Sequence, residues 1–359
     1  MPPKPGADAA RARLDRLWQR GREFLGVRYA IMGGAMTWVS ERTLVAAISN
    51  ADGFGVLASG AMKPAELEAE IEATFARTAK PFGVNIITLH PQLSELIDVC
   101  GRHRVSHVVL AGGVPTQAAI ARIKDHGAKA IGFAPAPVIA KKLIRNGIDA
   151  LVIEGMEAGG HIGPVATGVL AQEILPAIDE VPVFVAGGIG RGDAIALYLE
   201  MGAAGCQLGT RFVCATESIA HPAFKKAFIR AAARDAVPSV QIDPDFPVIP
   251  VRALTNAATK RFIETQLEVI ARFRRGELSQ NEAQLAIEHY WAGALRRAVV
   301  EGDVENGSLM AGQSVGMVTH EQPVAAIIAE LIDQAVTTLG RQFAEPLTAA
   351  APRPRRARA

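Results

Sequence analysis

Ala150-Leu151-Val152-Ile153-Glu154-Gly155-Met156-Glu157-Ala158-Gly159-Gly160-His161-Ile162-Gly163 is the stretch that decides the fold. Its first four residues are an apolar run without a polar face, the pattern of a strand covered on both sides in a parallel sheet. The ten residues after it carry four glycines and one histidine, His161. Glycine lets main-chain N–H groups approach a ligand and takes dihedrals that a Cβ forbids. Proteins of alternating strands and helices collect ligands and reacting groups at the carboxyl ends of their strands. An incidental histidine in a loose turn is the plain alternative, and the surrounding pattern weighs against it.

The alternation recurs outward in both directions. Apolar runs at 29–32, 55–58, 83–87, 107–110, 130–133, 150–153, 183–186 and 206–208 read as eight strands. Amphipathic stretches at 40–51, 64–78, 91–100, 116–126, 137–146, 168–178 and 192–201 read as the helices between them. Gly127, Gly147 and Gly202 each stand just past a helix and before a strand, the place of a C-capping glycine. Eight such units within about 190 residues suit a closed (β/α)8 TIM barrel in the α/β class. A doubly wound sheet is the alternative, but no Gly-x-Gly-x-x-Gly follows the first strand.

Beyond the eighth strand the rhythm breaks. Residues 221–234 read as a helix, Pro238, Pro244, Pro247 and Pro250 permit only short extended pieces, and 255–273, 279–300 and 323–343 read as long helices. The expected organisation is a helical N-terminal extension at 1–24, the barrel at 25–212, a helical lid at 213–310, a segment at 311–345 packing back on the barrel, and a disordered basic tail at 346–359.

Composition narrows the function classes. A net charge of +2, with the only basic cluster in the tail, argues against a nucleic-acid binder. Cys100, Cys206 and Cys214 form neither a disulfide framework nor a metal-ligand pattern, so no metal is expected. No apolar run reaches membrane-spanning length and no signal core opens the chain, which makes the cytoplasm the expected compartment.

The residues after each strand should list the site. Gly34, Ala35 and Met36 follow the first strand, Asn85 lies in the third, and Gly187-Gly188 and Gly209-Thr210 follow the seventh and eighth. Loops at those last two positions commonly bind phosphate through main-chain N–H groups. Flavin mononucleotide (FMN) and a sugar phosphate are the two natural occupants. Gly34 and Ala35 leave room for a flat ring, and Asn85 offers an amide to a heterocycle edge. No lysine ends a strand, and Glu154 with Glu157 is the only close carboxylate pair, which makes the sugar phosphate the weaker reading.

Residues 154–163, Gly83-Val84-Asn85, Ala186-Gly187-Gly188-Ile189, Gln207-Leu208-Gly209-Thr210-Arg211-Phe212 and 302–313 together resemble the nitronate monooxygenase (2-nitropropane dioxygenase) family and its relatives, the flavin-dependent type II enoyl-acyl-carrier-protein reductases. Two places depart from the family pattern: Gly33 stands where a polar residue is usual, and Ala51-Asp52-Gly53-Phe54-Gly55 replaces Ala-Gly-Gly-x-Gly. The resemblance spans 25–340 and implies a barrel with bound FMN under a lid. It implies His161 as the catalytic residue, with Gly34, Ala35, Met36, Asn85, Glu154, Gly159, Gly160, Gly187, Gly188, Gly209 and Thr210 around the cofactor. Oxidation of alkyl nitronates by O2 to carbonyl compounds and nitrite is the first activity it implies. NAD(P)H-dependent reduction of an enoyl thioester is the second, and Arg252 is a candidate to hold a pyrophosphate or carrier phosphate. An acyl carrier protein and a second copy of the chain are candidate partners.

Overall fold

In the computed structural model, residues 7–243, 246 and 248–341 are described. The strands are β1 (Ile31–Gly33), β2 (Gly55–Ala58), β3 (Phe82–Ile87), β4 (His107–Ala111), β5 (Lys129–Phe133), β6 (Ala150–Glu154), β7 (Gly160–His161), β8 (Val183–Ala186), β9 (Gly205–Leu208), β10 (Ala236–Pro238) and β11 (Val251–Leu254). Eight of them form one parallel sheet in the order β1-β9-β8-β6-β5-β4-β3-β2. The two edges meet: Phe54 N–H donates to Ile31 O at 2.9 Å and Gly33 N–H donates to Phe54 O at 2.8 Å. The sheet is therefore a barrel, with the intervening helices packed around it.

Each barrel strand is buried almost throughout because both faces are covered, by side chains filling the barrel inside and by helices outside. Strand β1 starts two residues later than the apolar run suggests. Tyr29 N–H is drawn off to Asp52 O, and Ile31 N–H turns back to Tyr29 O at 2.7 Å. The helix expected over 168–178 ends at Ile174 and tightens into a 3-10 turn, Leu175–Ala177, because Pro176 cannot supply an N–H. At the amino terminus, helices Ala7–Leu17 and Gln19–Leu25 bury Ala10, Leu14 and Trp18 completely, so this segment belongs to the core. The basic tail at 346–359, the end of the last expected helix at 343, Pro244 and Pro247 lie outside the described residues.

After β9 the chain builds a second body. Helix Pro222–Arg230 ends earlier than expected, and the Pro-rich stretch supplies an antiparallel ribbon in which β11 lies between β10 and β7. Helices Ala257–Arg274 and Gln280–Val299 pack face to face around Phe262, Ile287 and Trp291, each at most 2% exposed. The second is started by a capping box: Glu282 accepts from Ser279 N–H at 2.8 Å, and Ser279 Oγ accepts from Glu282 N–H at 3.3 Å. This pair of helices has an apolar core separate from that of the barrel. No helix among the described residues is long and apolar enough to cross a membrane.

The amino-terminal end of the barrel is sealed by aromatic packing around His107, which is 3% exposed. Its ring meets Phe24 and Phe54 edge-on at centroid distances of 5.1 and 4.9 Å. Its nitrogens bond Phe24 O and Ser106 Oγ, at 3.0 and 2.9 Å. Burial pushes its pKa down to about 4, helped by the nearby Lys129 ammonium. The native state therefore holds a neutral ring where the unfolded chain takes up a proton. The linked stability is present at neutral pH and is lost as pH falls from about 6.5 towards 4, by up to roughly 3 kcal/mol. Urea unfolding of the wild type against His107→Gln across that window should show the variant losing less stability on acidification.

Candidate active site

The site is built at the carboxyl ends of the barrel strands. Glu154 closes β6, half-buried, and burial pushes its carboxyl up to about 7 while the nearby His161 imidazole pulls the other way. His161 is exposed on β7, held by a two-residue ladder that pairs it with Val251 and Gly160 with Arg252. The next amide continues the hold, with Ile162 N–H donating to Pro250 O at 2.9 Å.

The loop between β6 and β7 is fixed on three further sides. A Cβ on Gly159 would sit 2.5 Å from Gly312 N, so only glycine lets the 311–313 backbone close over it. Glu157 O accepts from Gln313 N–H at 2.9 Å, and its carboxylate accepts the Thr167 N–H and hydroxyl, both at 2.8 Å. Arg252 is 2% exposed; its guanidinium donates to Met156 O at 2.9 Å and to Ala236 O at 2.5 Å. The expectation that Arg252 holds a phosphate group is therefore corrected: its donors brace the main chain of the loop and the ribbon. Glu154 and Glu157 likewise separate, one beside His161 and the other closing the start of helix Thr167–Ile174.

The glycine-bearing ends of β8, β9 and β1 are adjacent around the barrel. Gly187 and Gly188 take φ of +98° and +71°, conformations that L side chains rarely adopt. Thr210 Oγ1 accepts from Gly312 N–H at 2.9 Å, which ties the β9 end to the same segment that covers Gly159. Gly34 N–H donates to Leu208 O at 2.9 Å, and an added Cβ on Gly34 would meet Gly209 Cα only at 3.5 Å. Bare backbone thus faces the mouth there, with Ala35 half-buried beside it and the Met36 sulfur nearest to Gly209. Ser40 holds this loop in shape, its hydroxyl accepting from Met36 N–H at 3.0 Å and donating to Gly34 O at 2.8 Å.

Asn85 lies in the β3 wall, across the barrel from β8, 6% exposed. Its amide donates to Val109 O at 3.1 Å, leaving the side-chain carbonyl and a second N–H for another partner. A cavity of about 280 Å³ abuts Gly187 and Gly188, walled also by Glu157, Tyr198, Gln313 and Met317. Its lining includes a carboxylate and, among the described residues, no cation. An anion at this end would thus rely on main-chain N–H groups. The three cysteines are buried, and burial pushes Cys100 and Cys214 up to about 12, which leaves them as unreactive thiols. The sequence pattern did not single out Thr167 or Ser40, which act by bonding main-chain and carboxylate partners rather than through a motif of their own.

The profile of the nitronate monooxygenase family matches residues 19–100 and 92–334. The chain is 32% identical to a (3aS,4S,5R,7aS)-5-hydroxy-7a-methyl-1-oxo-octahydro-1H-indene-4-carboxyl-CoA dehydrogenase of Mycobacterium tuberculosis, over 88% of this chain and 96% of that protein. It is 27% identical to a probable nitronate monooxygenase of Staphylococcus aureus, over 89% of this chain and 98% of the other. Among solved structures, FabK from Thermotoga maritima superposes with a TM-score of 0.81 at 36% identity, covering 90% of this chain and 98% of that one.

The raised Glu154 pKa carries a stability signature. A carboxyl held neutral in the fold but ionised in the unfolded chain costs stability as pH rises from 4.5 towards about 7. Glu154→Gln should therefore melt higher than the wild type at about pH 8, with the gap shrinking towards about pH 5. Thermal unfolding of the purified protein at the two pH values checks this, and an unchanged gap would mean the carboxyl is already ionised in the fold.

Proposed function

The chain belongs to the nitronate monooxygenase family, and from that premise we propose that it is an FMN-dependent oxidoreductase acting on an acyl thioester, with His161 handling the proton at the substrate carbon. The observation that carries the reading is the placement of His161: exposed, clamped by main-chain pairing, and beside the Glu154 carboxyl at the barrel mouth. An imidazole titrates near neutral pH and suits proton transfer there.

The residues present fit the cofactor. The left-handed Gly187-Gly188 turn and the neighbouring Gly209-Thr210 end would take the phosphate, and the bare backbone of Gly34 and Gly209 would lie against the ring. Asn85 would bond the ring's polar edge from the opposite wall, and Met36 would pack beside it. Bound there, FMN supplies reversible hydride transfer at a substrate carbon. His161 delivers or removes the proton at the adjacent carbon, which a thioester carbonyl acidifies. Glu154, neutral below about pH 7, keeps the imidazole from facing a full negative charge.

Two observations favour a thioester over a small anion. The rim running on from β6 past β5 and β4 to β3 carries exposed apolar side chains, with Val138, Val114 and Leu89 exposed by 75%, 44% and 81%. The Mycobacterium tuberculosis relative, at 32% identity, is named for a carboxyl-CoA substrate. Nitronate oxidation is the second reading, favoured by the family profile and by the Staphylococcus aureus relative. It uses the same barrel, with His161 positioning the nitronate or taking an α-proton while O2 completes conversion to a carbonyl compound and nitrite. Reduction of an enoyl thioester bound to an acyl carrier protein, with NADH or NADPH as donor, is the thioester reaction run in the other direction.

Anaerobic mixing of the FMN-loaded protein with candidate reductants tests the proposal. A saturated acyl-CoA or a pyridine nucleotide should bleach the flavin, and an enoyl thioester should restore the colour of the reduced protein. Bleaching by alkyl nitronates alone would overturn the thioester reading. His161→Ala should keep its flavin and lose roughly 10²–10⁴-fold in turnover, and full retained turnover would remove His161 from the chemistry.

A further inference from the structure

A second cavity lies outside the barrel mouth. It is a cleft of about 460 Å³ between helix Pro222–Arg230, the β10–β11 ribbon and the 304–309 segment. Its lining is mixed, apolar at Ala227, Ala231, Val237, Leu254, Val304 and Leu309 and polar at Arg234, Asp235, Thr255, Asn256 and Glu305. A cation stands on one lip: the Arg234 side chain is 90% exposed, with only a 3.9 Å contact to Asp235. Lys226 and Arg230 are exposed on the adjoining helix. Exposed Glu305 and Thr255 stand among the lining residues.

We propose that this cleft binds the phosphorylated adenosine end of the substrate or cosubstrate, an inference that rests on the thioester reading above. A slot of small and branched apolar side chains accepts a flat heterocycle. Arg234, with Lys226 and Arg230 nearby, matches the phosphates that such a ligand carries. Glu305 and Thr255 offer acceptors for an exocyclic amine or a ribose hydroxyl. Asp235 is partly engaged, its carboxylate accepting from Ala232 N–H at 2.7 Å.

Strand β11 connects the cleft to the reacting position. Val251 pairs with His161, and Leu254, three residues along the same strand, lines the cleft. That separation is ~10 Å at the usual rise of a strand. A pantetheine arm is longer than this, so a nucleotide seated in the cleft can present its thioester at His161. The two sources of this ligand chemistry are coenzyme A, phosphorylated at the 3′ position, and NADPH, phosphorylated at the 2′ position.

Calorimetric titration of the FMN-loaded protein with adenosine 3′,5′-bisphosphate and with adenosine 2′,5′-bisphosphate separates the two sources. One of them should bind, and Arg234→Glu or the cleft-filling Ala231→Trp should weaken it by about tenfold or more, the loss of one charge-assisted contact. Where the 3′,5′-bisphosphate is the one bound, Arg234→Glu should raise KM for an acyl-CoA more than KM for the matching acyl-pantetheine thioester. Binding of neither bisphosphate, or equal binding by wild type and both variants, would overturn the proposal. Bisphosphate binding without turnover of any thioester would instead retain the cleft and refute the thioester reading.

Discussion

Two residues of main-chain pairing, Gly160 and His161 against Arg252 and Val251, hold the candidate reacting group in place. A strand this short has no stability of its own. It persists because its loop is gripped from several directions: Gly312 backbone over Gly159, Gln313 N–H on Glu157 O, and the Arg252 guanidinium on Met156 O. Each contact comes from residues that follow the last barrel strand. The position of His161 therefore depends on the folding of the chain after β9 as well as on the strand that leads into it.

The barrel divides its polarity between its ends. At the amino-terminal end a neutral His107 is sealed among Phe24 and Phe54, where burial costs a charge its hydration. At the carboxyl end the same physics acts on Glu154, but the raised pKa sits beside an exposed histidine and bare glycine backbone. One buried titratable group stabilises packing; the other stands where a perturbed carboxyl is useful to chemistry. Arg252 lies between these cases, a buried cation whose surroundings turn its donors to main-chain carbonyls.

The barrel was legible because its information is local. Apolar runs of strand length, C-capping glycines such as Gly127 and Gly202, and glycine pairs at strand ends can each be read within a few residues. The ribbon was not legible, since β10 and β11 are short, flanked by prolines, and defined by pairing with β7 some ninety residues earlier, between Gly160 and Arg252. For the same reason Arg252 read as a candidate phosphate holder when the sequence stood alone. Gly187-Gly188 and Gly209-Thr210 stood out as candidates by position, but their coupling to Gly312 and Thr167 required the folded backbone. Ala10 and Leu14 in the amino-terminal segment are buried for a comparable reason, helix Val324–Gly340 packing on helix Ala7–Leu17 from the other end of the chain.

The central claim is that glycine-lined strand ends hold FMN against the histidine face of the barrel. Its most direct test is titration of the flavin-free protein with FMN, followed by quenching of flavin fluorescence. The account predicts saturation at one FMN per chain, with binding lost in Gly188→Val, where a branched side chain must occupy a left-handed turn. Undiminished fluorescence of free FMN at saturating protein would contradict it.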